Sequence, residues 1–177
     1  MLTKFSKILK IISYVFISFA VILAFLLTGM RLFGFKIFTI LSPSMEPKYP
    51  TGAIIYVKEI PTHKLSEGDV ITFRLTDNMT ATHRIIEIVS QDGSSDNIRF
   101  RTKGDNNDEA DTALVEPDSV LGKVYFSIPL LGFLASYIQS PPGLYIAIGF
   151  AVFLILLVLL SDFSGGEKKE ENEEISS

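Results

Sequence analysis

Two long apolar runs bracket a stretch in which apolar and polar residues alternate. From Ile11 to Met30 the chain has twenty residues without a charge, dominated by Ile, Phe, Leu and Val. Twenty residues of α-helix rise about 30 Å, the thickness of a bilayer's hydrocarbon core, so this run predicts a spanning helix. Beyond it the period changes. Lys36–Ile40, Ala53–Val57, Val70–Arg74, Ala81–Val89, Ile98–Thr102 and Val120–Phe126 are short and rich in Ile, Val, Phe and Thr. Turn-forming sequences separate them, among them Tyr49-Pro50-Thr51-Gly52, Ser66-Glu67-Gly68-Asp69 and Gln91-Asp92-Gly93-Ser94. The pattern predicts an all-β or mostly-β domain, with Asp92-Gly93 as a hairpin loop. Between residues 35 and 125 it shows neither an amphipathic helix nor an internal repeat.

From Val124 to Ser161 charge disappears again. Pro129, Pro141 and Pro142 interrupt the first part, where Leu130–Ile138 reads as an amphipathic or interfacial piece. Leu144–Leu160 reads as a second span of about 17 residues, near the short end of the workable range. The Glu- and Lys-rich Gly165–Ser177 predicts a disordered, solvated tail. The expected organisation is an N-terminal segment at 1–10, an anchor helix at 11–31, a β-rich domain at 32–126, a connector at 127–142, a second spanning helix at 143–161 and a charged tail at 162–177.

Charge gives this layout a direction. Lys4, Lys7 and Lys10 precede the first span and place the N-terminus in the cytoplasm by the positive-inside rule. Arg31 and Lys36 beyond it weaken that bias without reversing it. A basic start before an apolar run also describes a cleaved signal peptide. That reading is the weaker one, because the run exceeds the usual 7–15 residues and Arg31-Leu32-Phe33-Gly34-Phe35 offers no small-x-small cleavage site. Two spans return the C-terminus to the side of the N-terminus and leave the β-rich domain outside the cytoplasm.

Composition removes whole classes of chemistry. The 177 residues include no cysteine, which excludes disulfides, thiolate metal sites and cysteine nucleophiles. Only two histidines occur, His63 and His83, and no metal-binding helix pattern accompanies them. No metal and no cofactor are therefore expected. Asp105, Asp108, Glu109 and Asp111 cluster, but without the spacing of a calcium loop. A net charge of −4 with no basic concentration argues against a nucleic-acid partner.

What remains between the spans is a serine, a histidine and aspartates, in that order. Ser44 sits in Ser42-Pro43-Ser44-Met45-Glu46-Pro47, which by itself could be no more than a Ser-Pro turn. In an extended segment residues i and i+2 face the same way. The Ser42 hydroxyl then points at the same space as Ser44 and could serve an oxyanion with the Ser44 N–H. His83 lies in a strand, where alternation puts it with Ile85 and Glu87 and opposite Thr82, Arg84, Ile86 and Ile88. If Ser44 is a nucleophile, His83 is the natural base, since His63 sits in an exposed loop. Asp105 and Asp111 are the candidates to orient that base, though loop aspartates are more often turn formers.

Four boxes carry a resemblance: Ser42-Pro43-Ser44-Met45-Glu46-Pro47, Gly68-Asp69-Val70-Ile71-Thr72-Phe73, Thr82-His83-Arg84-Ile85-Ile86, and Thr102-Lys103-Gly104-Asp105-Asn106-Asn107 with Asp111. In this order after a membrane anchor they resemble the type I signal peptidases. His83 stands where the main bacterial branch carries a lysine base. The chain is thus similar to the endoplasmic-reticulum-type branch, found also in archaea and some Gram-positive bacteria. The resemblance covers roughly Leu32 to Phe126 and the preceding span. It implies a mostly-β extracytoplasmic catalytic domain between two transmembrane helices. It implies Ser44 as nucleophile, His83 as general base, Asp111 and Asp105 as orienting and supporting carboxylates, and Ser42 with Ser44 at the oxyanion. The implied partners are signal-peptide-bearing preproteins and membrane lipid, with additional membrane subunits unknown. The rival reading is a non-catalytic β-domain displayed as a binding or assembly module. A sortase-like transpeptidase is excluded by the missing cysteine.

The predicted orientation has a direct test. A single cysteine placed at Ser94 is expected to react with an impermeant thiol reagent in intact cells, and one placed at Ser176 is not. The reverse labelling pattern would put the β-rich domain in the cytoplasm.

Overall fold

The computed structural model describes residues 2–90 and 98–174, with side chains over 7–90 and 98–159. The expected Asp92-Gly93 hairpin loop lies outside the described residues. Two compact units emerge, one of the terminal helices and one spanning Gly29–Ala135.

The helical unit is built from α1, Leu2–Leu27, and α3, Pro141–Glu174. Within them Lys7–Leu27 and Pro141–Leu159 are long and apolar enough to cross a membrane. The two helices touch through Phe16 and Phe150, whose rings meet edge to face at 5.6 Å, and they enclose Ser13 and Leu154. Small and polar side chains suit such contacts, because they let backbones approach closely. Helix α1 stops short of the expected limit at residue 31. Gly29, a poor helix former, follows it, and the Thr28 hydroxyl donates back to the Ala24 carbonyl at 2.7 Å. The chain then makes a 3₁₀ turn over Gly29–Phe33. At the other end, Pro141 begins α3 at a position where a missing N–H costs no helical bond. The helix continues to Glu174, through the segment expected to be disordered.

The second unit is a six-stranded antiparallel sheet. The strands are β1 (Phe35–Thr39), β2 (Ile54–Lys58), β3 (Val70–Thr76), β4 (Met79–Ser90), β5 (Ile98–Lys103) and β6 (Val120–Ile128). Each coincides with an expected strand. Their spatial order is β1-β2-β6-β3-β4-β5. The last strand in sequence thus lies in the middle and joins two halves. Two cores form, and β3 contributes to both, Val70 to the first and Ile71 to the second. Ile40, Met45, Tyr49, Ala53, Ile55, Val57, Val70 and Val124 form one. Leu65, Ile71, Phe73, Ile85, Phe100 and Val115 form the other. A buried side chain of this kind contributes about 1.5–3 kcal/mol, so the cores rather than the strand pairing hold the unit together.

Simple alternation fails within β4. Arg84 and Ile85 pair with Lys103 and Thr102, but the next pair is Glu87 with Arg101. Ile86 is the extra residue of a β-bulge, and it is exposed. A bulge shifts the side-chain period by one. Ile88 therefore packs with Ile85 on the second core, not on the opposite face as strict alternation predicts. Glu87 turns outward and pairs with Arg101.

A short helix α2, Leu131–Gln139, covers the segment read as an amphipathic or interfacial piece. Its first turn belongs to the β unit. The Gly132 N–H donates to the Gly52 carbonyl at 2.9 Å, and the Phe133 ring lies over Gly52, which takes φ +81°. A glycine is needed there both for the left-handed backbone and for the ring's approach.

Phe100 tests the second core. It is fully buried and its backbone bridges to Val115. Phe100→Ala is expected to cost about 3–5 kcal/mol, read as a lowered melting temperature of the detergent-solubilised chain.

Candidate active site

Ser44 lies in a single 3₁₀ turn, Pro43–Met45, rather than in the extended segment the sequence suggested. Ser42 precedes the turn with extended torsions, φ −127° and ψ 157°, and Pro43 supplies the fixed φ that starts it. The turn closes through the Glu46 N–H on the Pro43 carbonyl at 3.0 Å. Met45 anchors it, buried in the first core. The premise of an extended chain was wrong, yet the Ser42 and Ser44 hydroxyl oxygens still lie 3.1 Å apart.

The carbonyl of Ser44 is held from across the sheet. It accepts the Asn106 N–H at 2.9 Å. Gly104 packs so closely that an added Cβ would stand 2.6 Å from the same oxygen. The loop after β5 therefore grips the turn that carries Ser44.

His83 projects from β4 on the face of Ile85 and the second core. Its ring meets Phe73 edge-on at 6.2 Å. Nε2 lies 3.3 Å from the Ser44 hydroxyl, and Nδ1 lies 2.6 Å from Oδ2 of Asp111. An ionised carboxylate only accepts. Nδ1 must then carry the proton, which leaves the lone pair of a neutral ring on Nε2, facing Ser44. Asp111 is itself fixed twice, because its N–H donates to the Thr102 carbonyl at 2.8 Å and its Oδ2 accepts the Thr102 hydroxyl at 2.6 Å. Thr102 is fully buried. This arrangement can pass a proton from a serine hydroxyl to an oriented imidazole.

Asp105 is placed elsewhere. Arg84 donates Nε to its Oδ1 at 2.8 Å and Nη2 to its Oδ2. Arg84 also donates Nη1 to the Gly68 carbonyl at 2.7 Å. The bond to Asp105 raises the guanidinium's pKa, against an opposing effect of burial. Nearby, burial pushes the Tyr49 hydroxyl up, with Arg84 pulling the other way. Asp105 thus does not reach the imidazole; it ties β4 to the loop that grips Ser44. Of the two aspartates left open by the sequence, Asp111 is the one on His83. His63 is exposed in a separate 3₁₀ turn, Thr62–Lys64.

Sequence reading passed over Thr102, Arg84 and Gly104, although all three lie in the boxes quoted above. The signal for Thr102 is its strand position two residues before the glycine, which points a hydroxyl inward. Among the described residues, no group of three or more acidic or histidine side chains could hold a metal ion.

Comparison with known proteins adds the lineage. Residues 11–100 match the family described as signal peptidase, peptidase S26. That is half of the chain, and the chain belongs to this family. Ser44 and His83 fall inside the matched stretch, whereas Asp105 and Asp111 follow it. The chain is 48% identical over 89 residues to Signal peptidase I W of Bacillus subtilis, which covers 50% of this chain and 45% of that protein. It is 26% identical over 114 residues to the signal peptidase complex catalytic subunit SEC11C of Homo sapiens, covering 60% and 58%. The subunit SEC11 of Fusarium vanettenii is 27% identical over 131 residues, covering 68% and 74%. The matched region thus spans about half the length of the first two relatives.

The grip on Ser44 can be loosened without touching a polar group. Gly104→Ala is expected to slow labelling of Ser44 by a serine-reactive acylating probe about 100-fold, the scale of a 1 Å misplacement.

Proposed function

We propose that the chain is a membrane-bound serine endopeptidase that removes signal peptides from exported preproteins. The observation that carries this reading is the hydrogen-bonded series Ser44–His83–Asp111 in a chain of the signal peptidase family. Ser44 Oγ attacks the scissile carbonyl while His83 Nε2 accepts its proton. Asp111 holds the ring in the tautomer that leaves Nε2 free to accept, and it stabilises the imidazolium that forms. The tetrahedral oxyanion is received by the Ser44 N–H and the Ser42 hydroxyl. His83 then returns the proton to the departing amine. Water hydrolyses the acyl-enzyme by the same steps in reverse.

The substrate carries a membrane-inserted segment followed by a small-x-small motif. Lys7–Leu27 and Pro141–Leu159 act as spans, with both termini cytoplasmic and the β unit outside. Confining enzyme and substrate to one bilayer raises their effective concentration, which gives the anchors a role in catalysis. Preproteins and lipid are the partners of this reading.

Cleavage of a preprotein in detergent tests it. Ser44→Ala and His83→Ala are expected to abolish processing, with expression and insertion intact, and His63→Ala to be close to silent. Asp111→Asn is expected to lower kcat by about 10³- to 10⁴-fold with substrate binding largely kept. His83→Lys should recover little, since Asp111 would hold the ammonium in its charged form. Undiminished cleavage by Ser44→Ala would remove the assignment.

A further inference from the structure

Two clefts adjoin at His83. One, of about 450 Å³, is walled by Ser42 and Ser44 and by the apolar side chains of Phe38, Ile40 and Met79. The other, of about 600 Å³, borders His83 and Asp111 without reaching either serine. Its character differs, for Arg74, Glu109 and Glu116 stand in its walls. Leu75, Ala81 and Asn107 line both, so a bound chain can run from one to the other past the imidazole.

Acyl transfer divides a substrate at the scissile bond. The acyl half stays on the nucleophile, beside the oxyanion donors. The amine half leaves after taking a proton from the base. A substrate with its carbonyl on Ser44 therefore keeps its acyl half in the cleft that the serines wall. Space that adjoins the imidazole but not the serines remains for the departing half. The wall chemistry agrees with this direction. Walls without Asp, Glu, Lys or Arg suit the end of a hydrophobic leader, and the charges in the walls of the second cleft suit the polar start of a released chain.

Not every charge in the second cleft is available to a ligand. Glu116 is paired with Arg99 at 2.9 Å, and Asp111 is held by His83 and Thr102. Arg74 and Glu109 are exposed and enter none of the ion pairs among the described residues. We propose that this cleft binds the residues that follow the cut, with Glu109 favouring a basic side chain there and Arg74 an acidic one. The inference rests on the endopeptidase reading above and assigns that enzyme a second, charge-reading subsite.

The test uses the full chain in detergent and preproteins that differ only in Lys or Glu at the second and third positions after the cut. The measured quantity is the ratio of kcat/KM for the Lys-bearing to the Glu-bearing substrate. Glu109→Lys is expected to lower this ratio about two- to fivefold, the scale of a partly exposed charge contact, and Arg74→Glu to raise it by a similar factor. Glu59→Lys, outside the cleft, should leave it unchanged, and raising the salt concentration should shrink the shifts. If neither cleft variant moves the ratio, or if Glu59→Lys moves it equally, the subsite is overturned while the endopeptidase reading stands. If the unmodified chain cleaves none of these preproteins, both fall.

Discussion

The hydrogen bond from the Asn106 amide to the Ser44 carbonyl is the contact on which the site depends. It joins two segments far apart in the chain, the turn after β1 and the loop after β5. That loop also brings Asp111 to His83 and Asp105 to Arg84. A shift of the loop would therefore move the serine and both carboxylates together. Gly104 makes the approach possible, because any side chain there would meet the same oxygen.

A hydrogen bond contributes only about 1 kcal/mol net, so this contact selects a geometry that burial must supply. The two cores do so. Met45, next to Ser44, is embedded in one core, and Ile85, two residues from His83, in the other. Strand β6 pairs with β2 on one side and with β3 on the other. The turn that carries the serine and the strand that carries the histidine are thus anchored in different cores, and β3 enters both.

The loop 104–111 serves both faces of the sheet. Successive strand residues point to opposite sides, so His83 and Arg84 cannot meet the same partner on the same face. Asp111 meets the first and Asp105 the second, because the loop wraps round the end of edge strand β5. One aspartate is thereby committed to the imidazole and the other to a guanidinium fork. The fork fixes the loop's position, which is a mechanical role distinct from touching the reacting atoms.

The apolar runs, the six strands and the Ser-His-Asp order were all legible in the sequence, because each rests on local periodicity or on residue identity. Alternation in β4 was legible only as far as Arg84 and Ile85. The bulge at Ile86 depends on pairing with β5, and no local pattern encodes a partner strand's register. The conformation at Ser42-Pro43-Ser44 was misread, since Met45 is drawn into the core and tightens the segment into a turn. The choice between Asp105 and Asp111 was beyond any linear reading. Both are loop aspartates near one glycine, and only the wrap of the chain round the sheet edge decides which face each carboxylate reaches.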